Sequence, residues 1–388
     1  MNVAPSFDLS LLGAKPSKVA ADYWDKVLEQ YENKQYKEAI IGILRYVDEG
    51  LIEKTANEDL SRFVIPHGSA VIHLHIDEDR LLVEAPFLST KDASQIPLLR
   101  QVAQINFSPL NLAKIILKDE QLVFHYTCPL ILCEPYKMYE LFREICFYAD
   151  HYDDEFIQKF GASWLQKPVI HAFSPAEKKQ AWENMQAYVE ESFAYIEYFE
   201  NKRSFSHAWD ILALTLWKIE YYCDPQGIFR NELQKNIEAQ QDNAPIIERV
   251  NRGKEYLRKI QQYDRAAFEA DLYRTERFIP IKFRSTPENI RTNFEDAYQR
   301  AKAERDASDH LGATITLSSI FLKLFYYNHV EESIARPIEE ALVQAGAKPW
   351  VKSSEILWQA MHRFMTPGSQ TANGQKRKSF WSFLGFNR

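Results

Sequence analysis

Residues 70–86 read AVIHLHI-DED-RLLVEAP, and residues 113–128 read AKIILK-DE-QLVFHYTC. Each is a pair of apolar-alternating runs separated by a short acidic turn, the pattern of a β-hairpin with one buried face. A helical run lies between the pairs, from Gln95 to Asn106, and a second follows from Tyr136 to Tyr152. Phe63–Tyr152 therefore reads as strand–strand–helix–strand–strand–helix: a four-stranded antiparallel sheet, two hairpins, packed on helices. Such a one-sided sheet is a module suited to binding.

Working outward, Pro16–Val47 reads as two helices. Trp24, Val27, Leu28 and Tyr31 form the stripe of the first; Ala39, Ile40, Ile43, Leu44 and Val47 form that of the second. Beyond the sheet, Phe160–Pro175 holds Gly161, Pro168 and Pro175 and reads as an irregular linker. Ser174, Pro175 and Glu177 then give a helix start, with Ser174 as N-cap. Ser206–Tyr222 is apolar nearly all round, so it belongs at the centre of a bundle. A charge-rich helical region spans Gly227–Tyr273, and Phe278–Pro287 is a break near a basic cluster of Arg274, Arg277, Lys282 and Arg284. Four more helices follow, over Pro287–Ala307, Leu311–Tyr327, Val330–Ala345 and Ser353–Met365. The expected organisation is an N-terminal helical hairpin (1–58), a chaperone-like α+β module (59–165), a helical domain (172–277), a C-terminal helical region (286–366) and a flexible tail (367–388).

One motif echoes internally. Tyr31-Glu32-Asn33-Lys34-Gln35-Tyr36 and Phe199-Glu200-Asn201-Lys202-Arg203-Ser204-Phe205 each separate an aromatic-ended helix from an apolar one, and a fainter version lies at Asp306–Leu311. The echo suggests tetratricopeptide-like helical hairpins in an all-α C-terminal bundle, though no 34-residue period runs through the chain.

Composition narrows the classes. The chain has 388 residues, 46% of them hydrophobic and 13% aromatic, with a net charge of -7. An acidic chain lacks the basic face that general nucleic-acid binding needs, so no nucleic-acid partner is expected. No secretory signal is evident in MNVAPSFDLSLLGAKPSK. Leu311–Tyr327, the most apolar run, is interrupted by Thr, Ser and Lys and reads as a buried helix. Cys128, Cys133, Cys146 and Cys223 form no CxxC pair; they read as packing residues of a cytoplasmic protein, with no metal or other cofactor.

Three candidate sites stand out. His73 and His75 share one strand face, and His125 on another strand can join them as zinc ligands. The alternation puts Ile72, Leu74 and Ile76 on the core face, so the histidines read more simply as the outer face of a one-sided sheet. Asp150-His151-Tyr152-Asp153-Asp154-Glu155 is an acidic run with one histidine, read as a solvated helix end or partner patch rather than an acid–base site. At the C-terminus, Lys376, Arg377 and Lys378 precede Phe380, Trp381, Phe383, Leu384 and Phe386, a basic-aromatic segment for docking to a partner or to an anionic membrane surface. No nucleophile elbow, phosphate loop, dinucleotide fingerprint or zinc-protease motif occurs.

The segments VIPHGSAVIHLHIDEDRLLVEAPFLS and LLRQVAQINFSPLNLAKIILKDEQLVFHYTCPL, with their flanking helices, resemble the type III secretion chaperone-like family, including its YbjN-like branch. The likeness covers roughly residues 20–160, and the helical half from Pro175 onward has no counterpart in that family. The resemblance implies a small α+β sandwich, a homodimer as one assembly, and a grip on extended segments of client proteins, without catalytic residues. The expected function is a non-enzymatic protein-binding adaptor or chaperone-like protein that holds a client segment. The alternatives are a membrane-peripheral scaffold recruited by the tail, and a hydrolase using the histidine and acidic positions.

Overall fold

The stripes and alternations fold into a mixed α+β molecule in the computed structural model, which describes residues 2–13, 17–240, 242–280 and 282–366. The first half runs α1 (Tyr23–Glu32), α2 (Tyr36–Val47), α3 (Leu51–Thr55), β1 (Arg62–His67), β2 (Ala70–Ile76), β3 (Arg80–Ser89), α4 (Gln95–Phe107), β4 (Lys114–Lys118), β5 (Gln121–Pro129), α5 (Pro135–Phe160) and β6 (Ser163–Trp164). The sheet order is β1-β2-β3-β5-β4, antiparallel throughout, with β6 added to β3 at Leu88 and Ser89.

Both expected hairpins are present, β2–β3 and β4–β5, but the sheet is wider than four strands. β1 pairs with β2 from Arg62↔His75 to His67↔Ala70. Its sequence alternates, with a burial pattern to match, but it carries Pro66, which argues against a central strand. At the sheet edge the missing N–H costs little. Phe160–Pro175, read as wholly irregular, likewise contributes β6 and the short β7 (Ile170–Ala172), which pairs with β8 (Tyr273–Thr275).

The second half continues α6 (Pro175–Asn201), α7 (Phe205–Cys223), α8 (Gly227–Ala239), α9 (Ile246–Gln261), α10 (Arg265–Ala270), β8, β9 (Phe283–Arg284), α11 (Pro287–Asp306), α12 (His310–Tyr327), β10 (Asn328–His329), α13 (Glu332–Ala345) and α14 (Trp350–Met365). The start of α6 is a full capping box: the Glu177 N–H donates to Ser174 Oγ, and the Ser174 N–H donates to Glu177 Oε2. Helix α7 is central, touching α6, α8, α9 and α12. Even its Lys218 is 1% exposed, where it donates to Glu191 Oε2 at 2.9 Å and lies 4.1 Å from the centre of the Tyr188 ring.

The internal echo is a shared turn. Lys34, Arg203 and Ser308 all have φ near +60° (62°, 56° and 61°). In each hairpin the next N–H bonds back five residues: Gln35 to Gln30, Ser204 to Phe199 and Asp309 to Glu304. This is a Schellman closure, which satisfies the last carbonyls of one helix before the next begins.

Apolar residues gather in two cores. One combines α1, α2, α4 and α5 with the inner sheet face; the other combines the helices from α6 to α14, so the spans 172–277 and 286–366 bury their side chains together. Each half also lends residues to the other. Ala4 and Phe7 pack in the helical core, while Phe278 and Ile279 pack in the sheet core. Among the described residues, no helix is long and apolar enough to cross a membrane.

Candidate functional site at the junction of the two halves

The acidic run lies elsewhere than its sequence suggests. Helix α5 continues past it to Phe160, so Asp150–Glu155 occupy the helix interior, and that face packs on α8. Asp153 is 7% exposed and the Asp150 side chain 20%, so the expectation of a solvated end is corrected. The cause is long-range: residues 271–278 return from the helical half and cover this face.

The β1–β2 turn meets these carboxylates. Gly68 has φ +53°, and a Cβ there would stand 2.6 Å from Asp150 Oδ1, so both the turn and the close approach call for glycine. Its N–H donates to the Glu276 carbonyl oxygen at 3.2 Å. The hydroxyl of Ser69 donates to Asp153 Oδ2. His67 is fully buried, and the Phe278 N–H donates to its Nδ1 at 3.1 Å, which assigns the ring hydrogen to Nε2. That Nε2 stands 3.1 Å from the Cys146 carbonyl oxygen and 3.4 Å from Asp150 Oδ1. Burial opposes a charge on this ring, whereas Cys146 and Asp150 favour one. The backbone donor at Nδ1 holds the neutral form, since protonation would set one N–H against another.

Two arginines complete the junction. Arg277 Nε lies 3.3 Å from Asp150 Oδ2, and Arg277 Nη2 donates to Gln226 Oε1 at 2.7 Å. Arg230 Nη1 reaches the same Gln226 oxygen at 3.4 Å, and Arg230 Nε lies 3.6 Å from Glu220 Oε1. Burial would raise the Asp150 carboxyl, but His67, Arg277 and Arg230 together hold it low. Asp153 has no such cation: burial and the neighbouring Asp154 push it up to about 7, against the Ser69 hydrogen bond. Burial and then Asp154 likewise push Asp271 up to about 6.

With both ring nitrogens of His67 engaged and Ser69 turned to Asp153, this cluster joins the halves rather than exposing a nucleophile. Beside it opens a cavity of about 470 Å3, reached by Arg230, Arg274, Arg277, Lys282, Tyr221 and Asn328. The basic cluster was visible in the sequence as Arg274, Arg277 and Lys282. His67, Ser69, Gln226, Arg230 and Asn328 were not, because contacts between distant parts of the chain bring them together.

The remaining candidates fall on the outer sheet face or beyond the described residues. Val64, His73, Glu84, His125 and Lys114 form one cross-strand row, and His75 lies in the next row, paired with Arg62 and Leu82. Glu84 takes Lys118 Nζ at 3.0 Å and stands 3.5 Å from His125 Nδ1, while His75 Nε2 is 3.1 Å from Asp77 Oδ1. Among the described residues, no group of three or more His, Cys, Asp or Glu is placed to hold a metal. Cys128 and Cys133 are buried thiols with sulfurs 3.4 Å apart. Lys376, Arg377, Lys378, Phe380, Trp381, Phe383, Leu384 and Phe386 lie outside the described residues. No protein-family model matches this chain, and neither a curated protein nor a solved structure does.

Proposed function

We propose that this protein is a non-enzymatic adaptor of chaperone-like type, holding an extended segment of a client protein against the outer face of its sheet. The observation that carries the reading is that face. Arg62, Val64, Pro66, His73, Lys114 and Thr127 are exposed on strands whose other side is buried. Apolar Val71, Pro86 and Ile116 lie on this face too, each partly buried. Arg62, Lys114, Lys118 and three histidines outnumber Glu84 here, so a client segment alternating apolar and acidic residues is the chemical complement.

The reading takes the sheet half as a type III secretion chaperone-like module, a cytoplasmic protein with a homodimer as one assembly, and the helical hairpins as tetratricopeptide-like. Their common Schellman turn supports the last point. Nucleic acid is not among the proposed partners, given the acidic balance. A second reading, a membrane-peripheral scaffold, is favoured by the basic-aromatic sequence Lys376–Phe386 alone.

Affinity capture separates the two. The full chain, a chain ending at Thr366 and the surface variant Val64→Asp/His73→Asp are compared for the same identified client and for anionic vesicles. The adaptor reading expects the client to be kept without the tail and lost in the face variant. A client kept by the face variant, or vesicle binding alone that vanishes with the tail, contradicts it.

A further inference from the structure

Two thiols meet inside the sheet half, and the client reading makes no use of them. Strand β5 ends in Cys128-Pro129, a 3-10 turn over Leu130–Leu132 reverses the chain, and Cys133 precedes Glu134, the N-cap of α5. The Cys133 N–H donates to the Leu130 carbonyl oxygen at 3.0 Å, and its sulfur lies 3.7 Å from the Pro129 carbonyl oxygen. This turn folds the two side chains onto each other, with the sulfurs 3.4 Å apart. A disulfide holds its sulfurs about 2.0 Å apart, so closure needs an approach of about 1.4 Å, which side-chain rotation can supply. Access to the two sulfurs is unequal. Cys128 is 7% exposed and Cys133 1%, while Ile131 and Leu132 of the turn between them are exposed at the surface.

We propose that Cys128 and Cys133 form a reversible redox pair, which a hydroperoxide closes to a disulfide joining the end of β5 to the start of α5. Cys128, the more accessible sulfur, attacks one oxygen of the peroxide. The O–O bond breaks, one oxygen leaves as water when the oxidant is hydrogen peroxide, and the other stays as the sulfenic acid of Cys128. The Cys133 sulfur then displaces that hydroxyl, which departs as water with the Cys133 proton, and the S–S bond forms. Two thiols lose two electrons, and the peroxide gains them. Cys133 suits the second step. Burial and then Cys128 push its thiol up, so it keeps its proton in the reduced protein. Lys137 and the N-terminus of the 26-residue α5 favour its thiolate when the exchange begins. Cys146 in α5 and Cys223 in α7 are buried too, and the Cys223 thiol donates to the Ala181 carbonyl oxygen. They serve as internal controls.

The test is peptide mapping of the full chain, reduced, freed of reductant and exposed to hydrogen peroxide at neutral pH. One tryptic peptide, residues 119–137, holds Cys128 and Cys133, and Cys146 and Cys223 fall in others. After alkylation in denaturant, that peptide is expected to lack both labels and the mass of two hydrogens. Its oxidation should run at least about tenfold faster than that of Cys146 or Cys223, and dithiothreitol should restore both labels. Cys133→Ala should instead leave Cys128 as a sulfenic acid that dimedone traps. If that variant misfolds, the map of the unaltered chain decides the question by itself. Two labels kept on the peptide after the folded chain has met peroxide overturn the proposal. A disulfide formed only after unfolding, or sulfinic acid on Cys128 beside a thiol at Cys133, overturns it as well.

Discussion

Asp153 shows what a residue's chemistry owes to chain it cannot see in its own sequence. The run Asp150–Glu155 has the composition of a surface, and nothing local says that residues 271–278 will cover it. Once covered, the carboxyls diverge: Asp150 keeps its charge beside the His67 Nε2–H and the Arg277 and Arg230 guanidiniums, while Asp153 is pushed up to about 7. The unfolded carboxyl titrates near pH 4. Because the folded pKa is the higher one, the folded state binds the extra proton, and stability falls as pH rises between about 4 and 7. Asp153→Asn removes that loss and still accepts from Ser69. Thermal melts should show the variant more stable than the parent at pH 8 and the difference gone below about pH 4. A difference that stays constant from pH 4 to pH 8 would show that Asp153 does not titrate this way.

Elements were legible where a local rule is strong. The two hairpins follow from alternation with acidic turns, and α6 follows from Ser174-Pro175-Ala176-Glu177. Strand β1 was missed because Pro66 lowers the strand signal, and only its edge position makes the proline harmless. The helical crossings were also hidden, since they depend on contacts across the sequence. Gly253 on α9 is one: a Cβ there would come within 2.2 Å of Leu212 Cδ1 on α7. Helix propensity alone would make Gly253→Ala stabilising by about 1 kcal/mol. The crossing reverses the sign, and denaturant unfolding should show a loss of about 1–3 kcal/mol from overpacking. A gain in stability would mean that the two helices separate at little cost.

At the scale of the whole molecule, the two halves exchange side chains and are therefore expected to unfold together. Residues 2–12 run into the helical core, with Tyr188 donating to Asp8 and the Ala4 N–H donating to the Lys348 carbonyl oxygen. In return Phe278, beyond β8, packs at 6% exposure against Phe142 of α5. Phe278→Ala should lower stability by about 3–5 kcal/mol and keep one cooperative transition. Two separated transitions in the unaltered protein would mean that the junction is weaker than its contacts imply. Sequence showed that there were two kinds of half, sheet and helix, but not this reciprocal insertion, which depends on long-range packing.

The central claim, that the outer sheet face holds a client, is tested most directly by photo-crosslinking from that face. A benzophenone side chain is placed in turn at Val64, at His73 and, as a control, at Glu183 on α6, whose side chain is 55% exposed. The account predicts one shared client adduct from positions 64 and 73, with an extended segment of that client mapped at the crosslink, and none from 183. Adducts only from position 183, or none from the sheet face while the client stays bound, would contradict it.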